Sequence, residues 1–130
     1  MKKGFTLLEL IVVIIIIGIL ATLGFAQYAK TIERARGTEA KVILGQIRQS
    51  EEGYYLEYAA YTTDITALAV NAPTGCTTTH YFSYSTAGTA AGIGTAVRCT
   101  TGGKTPNIGT TYTINVTYST GAWAGTTGYY

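Results

Sequence analysis

The sequence predicts an α+β fold, with one long N-terminal helix, transmembrane in its first half, packed on a small antiparallel sheet. Three observations lead there. An apolar run follows a short basic start, helical periodicity continues beyond it with no proline before Pro73, and residues 112–118 alternate apolar and polar side chains. Composition divides the 130 residues into a start at 1–4, an apolar helix at 5–27, an amphipathic helix at 28–60 and a Thr/Gly/Tyr-rich sheet region at 61–130.

The apolar run occupies residues 10–25 and reaches the ~20 residues needed to cross a bilayer once 5–8 are added. Lys2 and Lys3 precede it, and basic residues stay on the cytoplasmic side, so the C-terminal mass is expected to face outward. From Phe25 onward Tyr28, Ile32, Ala40, Ile43, Ile47, Tyr54, Tyr58 and Tyr61 fall within one arc at 100° per residue. Charged residues, Glu51 among them, lie mostly off that arc; Arg48 and Glu52 stand four apart and are placed to pair. The two stretches make one helix of about 55 residues, on the order of 80 Å at 1.5 Å per residue.

Beyond residue 60 the only charges are Asp64, Arg98 and Lys104. Residues 112–118 read as a strand with one buried face; 81–85 and 94–100 read as two more, joined by a turn at 87–92, and 122–123 as a short fourth. Cys76 and Cys99 read as one disulfide in an exported protein and as two buried thiols in the cytosol; the outward-facing reading favours the disulfide.

Composition limits function. The chain is 47% hydrophobic and 12% charged, and its net charge of +2 comes from Lys2 and Lys3 alone, so no basic footprint for nucleic acid exists. His80, the only histidine, sits beside Tyr81 and Phe82 and reads as a strand residue. Gly92-Ile93-Gly94 lacks the strand–helix context of a phosphate loop. No catalytic set, metal site or cofactor is expected. The eleven tyrosines read as core and interface aromatics.

The start carries the chemistry. Gly4 follows the basic residues, Phe5 follows Gly4, and Glu9 stands alone at the mouth of the apolar run. A carboxylate there is costly and needs a partner. Cutting after Gly4 gives Phe5 a free α-amino group, a cation that neutralises Glu9 within a subunit or between neighbours and penalises wrong registers.

Gly4-Phe5-Thr6-Leu7-Leu8-Glu9-Leu10, followed by Ile, Val and Leu, resembles the N-terminal signature of type IV prepilins and of type II secretion pseudopilins. The resemblance covers about thirty residues. It implies a 1–4 leader removed by a prepilin peptidase, methylation of Phe5, Glu9 as the assembly glutamate, and a long helix packed on an antiparallel sheet. It further implies a structural subunit stored in the inner membrane and polymerised with copies of itself into an extracellular pilus by an assembly machinery, without nucleic acid. The family often carries a proline where Ala26 stands here. Many major pseudopilins bind calcium through C-terminal carboxylates, and no Asp or Glu follows Asp64, which favours the pilus. A secretion pseudopilin and a minor pilin or adhesin are the alternatives within the resemblance. Outside it stand an uncleaved anchor and a secretory signal cut near Gly24-Phe25-Ala26; Glu9 within the apolar run opposes the latter.

Overall fold

The computed structural model describes residues 4–130, apart from the Ala26 side chain. The orientation assigned to Lys2 and Lys3, and the leader ahead of Gly4, lie outside these residues. One helix, α1, spans Leu7–Tyr58. Four strands follow, β1 (Phe82–Ala87), β2 (Ile93–Arg98), β3 (Thr113–Thr117) and β4 (Trp123–Gly125), with a 3-10 turn at Ile65–Ala67 that the sequence pattern did not signal. The fold is α+β, a long apolar N-terminal helix with a four-stranded antiparallel sheet. The chain forms two compact units, Met1–Glu33 and Arg34–Tyr130.

In the first unit α1 begins at Leu7, three residues ahead of the apolar run at 10–25. Its side chains from Leu7 to Phe25 are all exposed. Thr22 donates its hydroxyl to the Ile19 carbonyl at 2.8 Å, and Thr31 donates to that of Gln27 at 2.9 Å, so these hydroxyls are satisfied on the helix itself. Such a surface suits a dry environment, where polar hydrogens must find partners locally.

In the second unit α1 buries Gly37, Ala40, Ile43, Leu44, Ile47 and Glu51, spaced three and four apart. This stripe is rotated from the arc expected above. Tyr28 and Tyr58 are exposed, while Gly37, Leu44 and Glu51 are buried. At Gly37 a Cβ would lie 3.2 Å from Ile114 Cδ1, so the missing side chain lets helix and sheet approach closely. The sheet is a simple meander, β1-β2-β3-β4. Its registers set Tyr84 opposite Ala96, and Ala96 opposite Ile114. Burial alternates along β2 and β3: Ala96, Arg98, Ile114 and Val116 face the core, while Thr95, Thr113, Asn115 and Thr117 face outward. The Pro73 carbonyl accepts from Tyr84 N at 2.8 Å, covering part of the free edge of β1. Gly92, at φ 61°, closes the β1–β2 turn against the rings of Tyr61 and Tyr118, which a Cβ would overlap.

Glu51 is completely buried, and its charge is met from two sides. Thr62 N donates to Oε2 at 2.9 Å, and Thr86 Oγ1 donates to Oε1 at 2.7 Å. Thr86 Oγ1 also lies 2.7 Å from the Tyr118 hydroxyl, so one chain of bonds ties α1, the loop after it, β1 and the end of β3 together. Burial pushes the Tyr118 phenol up to about 12, the Thr86 bond opposing and the Glu51 charge adding to the shift. Tyr84 is a contrast. Burial, and then the Glu39 charge, raise its phenol well above the ordinary range, and among the described residues its hydroxyl has no hydrogen-bond partner. Removing each hydroxyl is therefore expected to act in opposite directions. Tyr84→Phe should leave stability unchanged or raise it by up to ~1 kcal/mol, whereas Tyr118→Phe should cost about 1 kcal/mol. Thermal unfolding of the two variants checks this, and an equal loss in both would contradict it.

Candidate assembly site

The candidate site lies where the chain enters α1. Gly4, Phe5 and Thr6 precede the helix, and the Phe5 side chain is 86% exposed. The Gly4–Phe5 bond thus sits in non-helical backbone, and open space surrounds the position a Gly4 Cβ would take.

Thr6 and Glu9 close a reciprocal cap. Thr6 N and Thr6 Oγ1 each donate to Glu9 Oε2 at 2.9 Å, and Glu9 N donates to Thr6 Oγ1 at 3.2 Å. A helix start leaves its first N–H groups without partners, and a Thr-x-x-Glu box supplies them. Thr6 is thus a partner of Glu9 in addition to the Phe5 amine expected from the sequence. The spacing of a threonine three residues before a glutamate was the available signal. Both bonds from Thr6 reach one carboxylate oxygen; among the described residues Oε1 accepts none. With Gly4 attached, Phe5 N is an amide and carries no charge.

Below the cap, α1 carries an 18-residue stretch of mean hydropathy 2.8, long and apolar enough to cross a membrane, with none of it buried in the protein. A carboxylate, its cap and an uncovered apolar helix therefore stand in immediate succession. Chemically this arrangement binds apolar surroundings and offers one acidic oxygen to an incoming cation; it activates no nucleophile. Among the described residues no three His, Cys, Asp or Glu side chains gather to hold a metal ion.

Cys76 and Cys99 belong to the second unit and are joined by a disulfide, with Cα atoms 5.7 Å apart and a sequence separation of 23. The bridge ties the segment before β1 to the residue after β2, where Cys99 is buried and donates its N–H to the Tyr81 carbonyl at 3.0 Å. In the chain-entropy account a loop of this size stabilises by roughly 3 kcal/mol.

Known proteins resemble the chain in two ways. The family model described as a prokaryotic N-terminal methylation motif matches residues 1–25. The fimbrial protein EcpC of Eikenella corrodens is 31% identical over 123 residues, covering 95% of this chain and 80% of that protein. The type IV major pilin protein PilE1 of Neisseria gonorrhoeae is 34% identical over 73 residues, covering 56% of this chain and 44% of that one. The type IV major fimbrial protein FimA of Dichelobacter nodosus is 40% identical over 57 residues, or 44% of this chain and 36% of that one. The matches to the Neisseria pilin and to FimA thus span less than half of those relatives.

Proposed function

Because the chain belongs to the type IV pilin family, whose members are structural subunits and not enzymes, we propose that it waits in the inner membrane as a single-pass precursor, loses residues 1–4 and polymerises into an extracellular pilus. In this reading residues 5–27 span the membrane and then line the filament, 28–60 carry the helix into the outer domain, and 61–130 form the sheet-bearing surface. A prepilin peptidase cuts between Gly4 and Phe5 and methylates the new amine, and an assembly machinery lifts the subunit from the bilayer. Lys2 and Lys3 hold the N-terminus in the cytoplasm, which leaves the Cys76–Cys99 bridge on the oxidising side.

The observation that carries this reading is the exposed apolar helix with a single acid at its mouth. In lipid that surface is already satisfied, and in a bundle of like helices it remains so. Moving from one to the other therefore meets little hydrophobic opposition, and association rests on shape and on the few polar groups. Glu9 is the polar group available, and the Phe5 amine is the cation the cut creates.

Intact mass and N-terminal sequencing of the mature chain test the proposal. The chain is expected to begin at Phe5 and to weigh one methyl group more than residues 5–130. A chain beginning near Gln27 would instead mark an ordinary secretory signal and end the proposal.

A further inference from the structure

On the second unit, the side of α1 turned away from the sheet carries an uncharged stripe bordered by charged residues, some of which are already engaged within the subunit. Thr38, Val42, Gly45, Gln49, Gly53 and Leu56 form an exposed stripe without a charged side chain, within about 80° at 100° per residue. Val42 is 56% exposed and Leu56 89%. A Cβ at Gly45 or Gly53 would meet nothing, so another backbone has room to approach at both positions.

The borders of the stripe differ in sign. Arg34 and Lys41 line one side, along with Arg48 and Glu52, which neutralise each other at 2.8 Å. Glu39 and Glu57 line the other. Glu39 already accepts from Tyr81 N at 2.8 Å, which leaves Glu57 as the acid on offer. Glu57 lies in the last turn of α1, which holds no basic residue, and an acid there opposes the negative end of the helix dipole. Lys41 has no partner among the described residues. Within the lone subunit Lys41 is unused, and Glu57 meets the hydroxyl of its neighbour Tyr58, an exposed contact open to solvent.

We infer that this stripe is a contact between copies of the chain, in which parallel helices staggered along their axes set Lys41 of one copy against Glu57 of the next. The inference rests on the filament reading and adds its register. Opposite signs on the two borders favour parallel neighbours, as flanking charges do in parallel coiled coils, whereas antiparallel neighbours would set like charges together. Sixteen residues separate Lys41 from Glu57, so the stagger is about 24 Å at 1.5 Å per residue.

A charge swap in the full-length chain tests it. Lys41→Glu and Glu57→Lys, made singly, are each expected to cut the yield of sheared filaments roughly tenfold with the membrane pool unchanged, and the double variant to restore most of it. Glu57→Lys also places a cation at the helix C-terminus, so the detergent-solubilised subunit should melt higher even as filaments fail; a merely structural role would lower both readings. Normal filaments from either single variant, or a double variant no better than the singles, would overturn the stripe while leaving the filament reading intact. Absence of filaments from the unaltered chain, with a start near Gln27, would remove the filament reading instead.

Discussion

Glu9→Ala is expected to leave the subunit in the membrane and to reduce filament yield at least roughly tenfold. The two effects have opposite signs for one reason. Removing a carboxylate from the mouth of an apolar helix eases insertion, because hydrocarbon penalises charge, so the precursor pool should hold steady or rise. Under the proposed pairing, assembly loses the acid that would meet a Phe5 amine, and with it the term that would distinguish a correct register from a slipped one. The Thr6–Glu9 cap offers a second explanation, since the same substitution also uncaps α1. Glu9→Gln separates the two. Glutamine serves in a capping box, so the helix start survives in that variant while the charge does not. Equal failure of both variants assigns the effect to charge, and recovery with Gln assigns it to the cap. Unaltered filaments from Glu9→Ala would count against the pairing. Electron microscopy of sheared material, alongside immunoblots of the membrane fraction, reads both quantities.

The helix and the strands were legible because each rests on periodicity. Residues 112–118 alternate in sequence and alternate in burial, and the apolar run coincides with the exposed stretch of α1. What misled the reading was the assumption that aromatics go inside and charges outside. Tyr28 and Tyr58 drew the expected stripe toward themselves, yet they are exposed. Glu51 looked like surface, yet it is completely buried, because Thr62 N and Thr86 Oγ1 come from distant positions to meet it. No local pattern reveals a donor eleven or thirty-five residues away. Gly37 is silent for a different reason: it contributes by having no side chain, and hydropathy cannot register that. At the candidate site the residues were visible and one relation was missed. Glu9 was assigned a future cation, while its present partner, Thr6, lay three residues upstream.

Arg98 shows the same blindness at higher stakes, and Arg98→Met is expected to destabilise the second unit by about 3 kcal/mol or more. Sequence marks it only as a lone cation near a cysteine. In the fold it is 1% exposed at the end of β2. Its Nη1 donates to the carbonyls of Tyr81 at 3.1 Å and Cys99 at 3.0 Å, and its Nη2 donates to that of Pro106 at 2.9 Å. The guanidinium also lies 5.1 Å from the Tyr81 ring centre and 5.8 Å from that of Phe82. One side chain therefore holds the start of β1, the disulfide corner and the loop after it. Methionine fills the stem of that volume and donates to no carbonyl; that of Tyr81 keeps the Cys99 N–H, but those of Cys99 and Pro106 lose the guanidinium, and each buried group left unpaired costs about 1–3 kcal/mol. For a unit of this size each kcal/mol lowers Tm by about 4–8 °C, so a fall of more than ~12 °C is expected by calorimetry of the full chain in detergent. Arg98→Lys keeps the charge but not the planar fork, and a single ammonium cannot reach carbonyls held in three directions, so it should recover less than half of the loss. Reducing the Cys76–Cys99 bridge in Arg98→Met should add less than it does in the unaltered chain, since both act through the same corner. A variant melting within about 3 °C of the unaltered chain would mean that the Cys99 and Pro106 carbonyls find other donors and that the guanidinium holds nothing together.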